Sequence, residues 1–357
     1  MSLPTQRFYN LDIIRLSATI AVIILHVAAS MSSLNYSTSD WMAGNIYFSL
    51  TRWCVPVFIM LSGILLLDPS KEYSNKVFFS KRLARVALPF IGWSLIYQLR
   101  SFRGEILSNK SLPIWNILKG IWEGPVSVHL WFVYLLMVLY LITPLIKDYI
   151  KLKTQQELKH ILMAWFAINF IDYFCMFILG INSELHQYLV TFEFTGYMLL
   201  GYYLYTYPIT INWRLILIFL ITLLVTILGN YLVHFKNLFF NEAFDNFLSP
   251  NIVIISAFVI ILMGKIQLSD QNLDKPFKKY IIGFITYFNK ISYGIYLAHI
   301  LILSIFNTQL KSNSLNIIGI PVTPYLSIPI VSLMILSACI LLVSILEKIP
   351  YLKKILV

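Results

Sequence analysis

Apolar runs separated by short polar breaks divide the chain into ten stretches, each long and apolar enough to cross a bilayer. They fall at about 11–31, 46–67, 84–99, 131–149, 161–179, 188–206, 212–233, 249–264, 282–306 and 325–346. The stretches at 84–99 and 249–264 are short, which predicts that they draw in flanking residues or carry a local break. The longest connection, about 100–130, holds only an amphipathic piece around Ile114 to Trp122, so no soluble domain of useful size interrupts the bundle. There is no internal repeat, low-complexity tract or Gly/Ser-rich linker. The pattern predicts an all-α fold, a polytopic membrane helix bundle of about ten transmembrane helices, forming a single domain over residues 1–357.

Lysine and arginine test this layout independently, because cytoplasmic loops carry the excess of positive charge. With the N-terminus inside, the inner segments hold 18 of the 27 basic residues. Among these are Arg7, the group Lys71, Lys76, Lys81, Arg82 and Arg85, and Lys348, Lys353 and Lys354 near the end of the chain. The outer loops hold 6, and Arg15, Arg52 and Lys290 lie within or at the ends of spans. Both termini are therefore expected in the cytoplasm.

Composition agrees: 59% of residues are hydrophobic, 12% are charged, and the mean hydropathy is +0.76. The net charge of +11 is spread over loops without interleaved aromatics in a soluble domain, so it reads as orientation and contact with anionic lipid, not as a nucleic-acid surface. Cys54, Cys175 and Cys339 fall inside spans with no zinc-type spacing, so neither a disulfide nor a metal is expected. The first stretch is long, contains His26 and lacks a small-residue cleavage site, so it should remain as a helix and not be removed as a signal peptide.

That first stretch carries the most informative pair. Arg15 and His26 are eleven residues apart, three helical turns plus ~20°, so they share one face about 16 Å apart, on a stripe with Thr19 and Val22. Asp12, three residues before Arg15, is close enough on the helix to pair with it. Ionisable groups inside a membrane helix are costly and usually face the bundle interior, where they serve a function. The bland alternative for His26 is a satisfied interhelical hydrogen bond, and for Arg15 a side chain that snorkels from the helix end.

Five motifs in register extend this reading. Asp12 with R-x10-H (Arg15, His26), RWCVPVFIMLSGILL at 52–66, KRLARVALPF at 81–90, HLWFVYLL at 129–136 and ISYGIYLAH at 291–299 resemble the integral-membrane acyltransferase family 3. The run HLWFVYLLMVLYLITPLI at 129–146 and the chain length are most similar to bacterial O-acetyltransferases of the enterobacterial common antigen type. Ser62-Gly63 is followed by Ile64 where the family pattern has an aromatic residue.

The resemblance implies a multi-pass enzyme of the bacterial inner membrane. Such an enzyme moves an acyl group, by default acetyl from acetyl-CoA, to a hydroxyl of a surface polysaccharide or lipid-linked glycan precursor. It implies catalytic roles for His26 and Arg15, and donor binding by Arg82, Arg85 and, more weakly, Lys81. The partners are then acetyl-CoA as donor substrate, a glycan or lipid-linked sugar acceptor and the lipid bilayer, with no bound cofactor, no metal and no nucleic acid.

His26 would act as a base that is neutral near pH 7 and takes the hydroxyl proton, or would itself carry the acetyl group; the sequence leaves both open. Arg82 and Arg85 suit bidentate phosphate contacts, although the positive-inside rule alone also accounts for them. Arg52 is a candidate for an anionic acceptor or an interfacial anchor. His129 and Trp131 are candidates for the acceptor side, and Tyr296 and His299, on a stripe with Tyr293, for cavity lining or packing. Ser62 reads as a packing residue, since no nucleophile elbow surrounds it. His160, His186 and His234 receive no role. The rival readings are a transporter or flippase of a lipid-linked sugar and a noncatalytic assembly partner.

Overall fold

A computed structural model describes residues 9–32, 34–71, 74–104, 114–177, 179–181, 184–236, 243–266, 276–307, 315–317 and 320–357; at 75, 77, 81, 184–191, 276–278, 307, 315–317 and 320–321 it describes backbone only. Each of the ten predicted stretches lies in helix. The helices are α1 (Tyr9–Ala29), α2 (Ser39–Thr51), α3 (Cys54–Leu66), α4 (Asn75–Phe78), α5 (Ala84–Ser101), α6 (Ile114–Glu123), α7 (Trp131–Lys151) and α8 (Gln155–Phe177). They continue as α9 (Glu184–Thr206), α10 (Trp213–Phe235), α11 (Pro250–Gly264), α12 (Pro276–Asn307), α13 (Pro324–Lys348) and α14 (Pro350–Leu356). A short antiparallel pair, β1 (Leu315–Ile317) and β2 (Ile320–Val322), with Leu315 opposite Val322, precedes α13. Among the described residues seven helical segments are long and apolar enough to cross a membrane, and α11 is a shorter apolar helix.

Two of the stretches are locally interrupted. The second is broken at Arg52–Trp53 between α2 and α3. Pro56 falls in the first turn of α3, where a missing N–H costs no intrahelical bond. The third is lengthened backward through a π-helical turn, Phe79–Leu83, between α4 and α5, and Pro89 inside α5 cannot donate to the carbonyl four residues earlier.

α1 and α3 are central. α1 packs against α2, α3, α11, α12 and α13, and α3 against α1, α7, α9 and α11. Lipid chains are as apolar as leucine, so membrane helices associate through close packing of small residues and not by escape from water. The α3–α9 contact shows this reciprocally: Gly63 lies against the Met198 carbonyl, and Gly201 against the backbone of Met60. Peripheral helices turn side chains such as Leu217, Leu224, Leu333 and Leu341 outward. In α3 only Phe58, Ser62 and Leu65 escape full burial, at helical spacing on one face.

The two ends of the bundle sort as the charge count expects. At one end the Asn10 amide donates to the Gly264 carbonyl at 3.2 Å, the Lys147 ammonium meets the Lys71 carbonyl, and Glu347 pairs with Lys290 and Lys353. At the other, Tyr36 packs on Phe235, the Tyr47 hydroxyl donates to the Tyr325 carbonyl at 2.7 Å, and Arg52 donates to the Asp245 carbonyl. The first is called the basic end below. Near it, in the loop after α3, partial burial pushes the Asp68 carboxyl up. Hydrogen bonds from the Ser70 hydroxyl and amide, and the Lys71 ammonium at 3.3 Å, outweigh that and hold it below the usual carboxylate range. α6 packs on α5 through Ile117 and leaves Trp115 and Trp122 exposed, as its amphipathic pattern predicted.

Candidate active site

α1 supplies the first two groups. Thr19 and Val22, on the stripe between Arg15 and His26, are buried, and the Thr19 hydroxyl returns to the Arg15 carbonyl at 2.8 Å. His26, about 16 Å farther along the axis by helical rise, brings its ring centroid to 5.1 Å from that of His299.

α12 crosses beside it with a stripe of polar and aromatic residues at steps of three and four: Asn289, Ser292, Tyr293, Tyr296 and His299. Hydrogen bonds tie this stripe to its neighbours. Asn289 donates to the Asp12 carbonyl at 3.0 Å, Tyr293 to the Val86 carbonyl at 2.9 Å and Tyr296 to the His129 carbonyl at 2.5 Å. Asp12, expected beside Arg15 on the same helix, thus also anchors α12 to α1 through its backbone.

His129 completes a cluster of three imidazoles, with its ring 4.9 Å from His299 and 5.5 Å from Tyr296. Carbonyl oxygens only accept, and this fixes two tautomers of the neutral rings. His299 Nδ1 donates to the Tyr296 carbonyl, which leaves Nε2 as a bare acceptor; that atom is buried and has no hydrogen-bond partner among the described residues. His129 Nε2 donates to the Leu297 carbonyl at 3.3 Å, so its Nδ1 accepts from the Ser127 hydroxyl at 3.1 Å. His129 and His299 are 2% and 1% exposed, whereas His26 keeps part of its surface accessible.

A cavity of about 1230 Å³ leads toward this cluster from the basic end. Its lining includes Arg15, Arg82, Arg85, Lys353 and Lys354 and, among the described residues, no Asp or Glu. The three accessible residues of α3, Phe58, Ser62 and Leu65, form part of its wall, as do Leu136 and Tyr140 of α7. Phe132, Tyr293 and Tyr296 also line it, and Tyr296 is shared with the histidine cluster, its ring 5.7 Å from His299. The π-helical turn carries Arg82, and the regular helix after it carries Arg85, so irregular backbone occurs where it lines a cavity, as the membrane interior requires. Ser62 donates to the Phe58 carbonyl at 3.0 Å, which fits the packing role read for it. The Lys81 side chain lies outside the described residues.

On the far side of the cluster, the Arg52 guanidinium carbon sits 3.7 Å from the Phe247 ring centroid and 4.8 Å from that of Phe48, with its charge within electrostatic reach of His26. Trp131 packs on Phe247 and Phe194, with centroids 5.6 and 5.9 Å away. The structure thus brings Arg52 and Trp131 together around one phenylalanine.

Sequence reasoning missed Tyr97, whose hydroxyl donates to the Leu297 carbonyl at 2.8 Å and whose ring packs 5.4 Å from His129. It also missed Lys353 and Lys354 as cavity residues. Their only signal was a basic pair near the chain end, which the positive-inside rule had absorbed. His234, given no role, donates from Nδ1 to the Asn230 carbonyl at 2.8 Å and packs on Trp41.

The acyltransferase domain family of type 3 matches residues 8–346. The chain belongs to this family. Comparison with curated proteins and with solved structures gives no match. Membership makes the protein a multi-pass membrane acyltransferase. The match spans all three histidines of the cluster and three of the five basic residues of the cavity; Lys353 and Lys354 lie beyond it.

Proposed function

We propose that this acyltransferase moves acetyl from acetyl-CoA to a hydroxyl of a surface polysaccharide or its lipid-linked precursor, in the manner of the bacterial enzymes of the enterobacterial common antigen type that its motifs resemble. The observation that carries the donor side is the cavity lined by five cations and, among the described residues, no acid, which extends to Tyr296 beside the histidine cluster. Its volume exceeds the ~300–1,000 Å³ of common small-ligand pockets, which suits a nucleotide with a long arm. Arg15, Arg82 and Arg85 hold the phosphates as charge-assisted donors. The pantetheine arm runs along Leu65, Leu136 and Tyr293 and presents the thioester near Tyr296.

The acceptor arrives from the opposite end, where Trp131 and Phe247 offer ring faces to a sugar and Arg52 suits an anionic one. His26 takes the hydroxyl proton as that oxygen attacks the thioester carbon. The carbon–sulfur bond breaks, and the departing thiolate recovers the proton from His26. His299 Nε2, a bare acceptor beside the His26 ring, orients His26 and stabilises it while it holds the proton, the third member that activated groups in enzymes commonly have.

The test is release of free CoA thiol, and formation of an acetyl ester, by the purified protein in lipid with candidate glycans. Acceptor-dependent release is expected; a protein that neither binds nor consumes acetyl-CoA refutes the donor assignment. Full release of one CoA per protein without any acceptor would replace the general-base step with an acetyl-histidine intermediate. In the same assay, Arg82→Gln is expected to raise KM for acetyl-CoA about 10- to 100-fold, because one lost charged contact costs about 1.5–3 kcal/mol when not compensated.

A further inference from the structure

We propose that the C-terminal helix α14 is a built wall of the donor site and that Lys353 and Lys354 bind the phosphates of the donor's nucleotide end; this rests on the acetyl-CoA reading above. The family match stops at residue 346, so α14 lies wholly beyond it. A seven-residue helix is too short to be stable alone in water, so its order comes from what it touches. The indole N–H of fully buried Trp93 donates to the Leu356 carbonyl at 2.9 Å, and Leu356 is itself buried. Gly92 permits the approach: a Cβ there would lie 2.5 Å from the Ile355 carbonyl oxygen and 2.7 Å from its Cγ2. On the other side α14 packs against α13, and Gly294 of α12 faces the Leu356 carbonyl.

Anchored in this way, α14 turns Pro350, Lys353, Lys354 and Val357 into the same cavity as Arg15, Arg82 and Arg85. Lys353 also lies 3.6 Å from Glu347, a carboxylate it shares with Lys290, so the carboxylate is outnumbered two to one. The arginines reach the cavity from α1 and from the π-helical turn and α5, whereas the lysines reach it from α14. A ligand with several phosphate groups is therefore met by cations from separate elements, and Lys353 and Lys354 lie beyond the residues that the family model matches. Phosphate is also the chemistry of an anionic lipid headgroup, but a headgroup has no need of the aromatic and apolar lining that continues inward to Phe58 and Tyr296.

The experiment compares acetyl-CoA with S-acetyl-pantetheine, which carries the same thioester without the nucleotide, using full-length Lys353→Gln/Lys354→Gln protein in bilayers of neutral lipid. The expected result is a fall of at least tenfold in the ratio of kcat/KM for acetyl-CoA to kcat/KM for S-acetyl-pantetheine, arising in KM. Trp93→Phe, which removes the bond to Leu356 and keeps both lysines, is expected to lower that ratio by a smaller factor. An unaltered ratio in the double variant, an equal loss with both donors, or an effect seen only in anionic lipid would each overturn the assignment. If wild type shows no preference for acetyl-CoA and Arg82→Gln is equally silent, the donor reading itself fails. A silent double variant beside a responsive Arg82→Gln condemns only the lysines.

Discussion

His26→Ala is expected to lower acetyl transfer by roughly 10²–10⁴-fold, the range a positioned general base contributes, while leaving binding of CoA nearly as in wild type. The separation follows from geometry. His26 lies at the far end of the path, beside His299 at 5.1 Å, and the cations that line the cavity lie at the basic end. Steady-state CoA release, titration with CoA and a thermal unfolding scan check the three parts together. A variant that folds and binds CoA yet still transfers acetyl at the wild-type rate would remove His26 from the mechanism. His299→Gln sharpens the point. Glutamine replaces the bare imidazole acceptor with an uncharged amide that offers both an acceptor oxygen and a donor NH2, so a rate loss smaller than that of His26→Ala, with a pH–rate profile displaced from wild type, is expected of a positioning residue. A packing residue would move stability and leave the profile in place.

Gly63→Val is expected to be the most damaging single change to stability among the described glycines. A Cβ at Gly63 would overlap the carbonyl of Met198, a backbone group that cannot swing aside, so α3 and α9 must separate along the most extensive helix contact in the bundle. Overpacking usually costs about 1–3 kcal/mol and occasionally more, and here it also displaces Phe58, Ser62 and Leu65, which share α3 and line the cavity. The unfolding midpoint in detergent should fall by several degrees, and KM for the donor should rise. Gly283→Ala is the control: nothing lies within 4 Å of a Cβ placed there, and alanine favours helix by up to about 1 kcal/mol over glycine, so its midpoint should hold or rise. Equal midpoints for the two variants would disprove the close-packing account.

Much of this was legible in the sequence because it is local. The helical bundle follows from apolar length, the sorting of ends from lysine and arginine, and the shared face of Arg15 and His26 from a spacing of eleven. The break at Arg52–Trp53 was foreshadowed by Pro56, since proline is best accommodated in a first helical turn. The π-helical turn at Phe79–Leu83 was not, since one extra residue in a turn leaves no trace in an apolar pattern.

By itself, the sequence determined what each segment is and which of its faces is costly to expose to lipid. Those are properties of backbone hydrogen bonding and hydration, settled residue by residue. Only the tertiary structure decided which costly faces meet: His299 between His26 and His129, Tyr97 against His129, and the last turns of the chain on the cavity that Arg15 also lines. Such meetings depend on how closely helices approach, and in a membrane that is set by the small residues between them, Gly63 on Met198 and Gly92 on Ile355. A glycine in a sequence does not name the residue it will lie against, so the partner of each polar stripe emerges only when the whole bundle is packed.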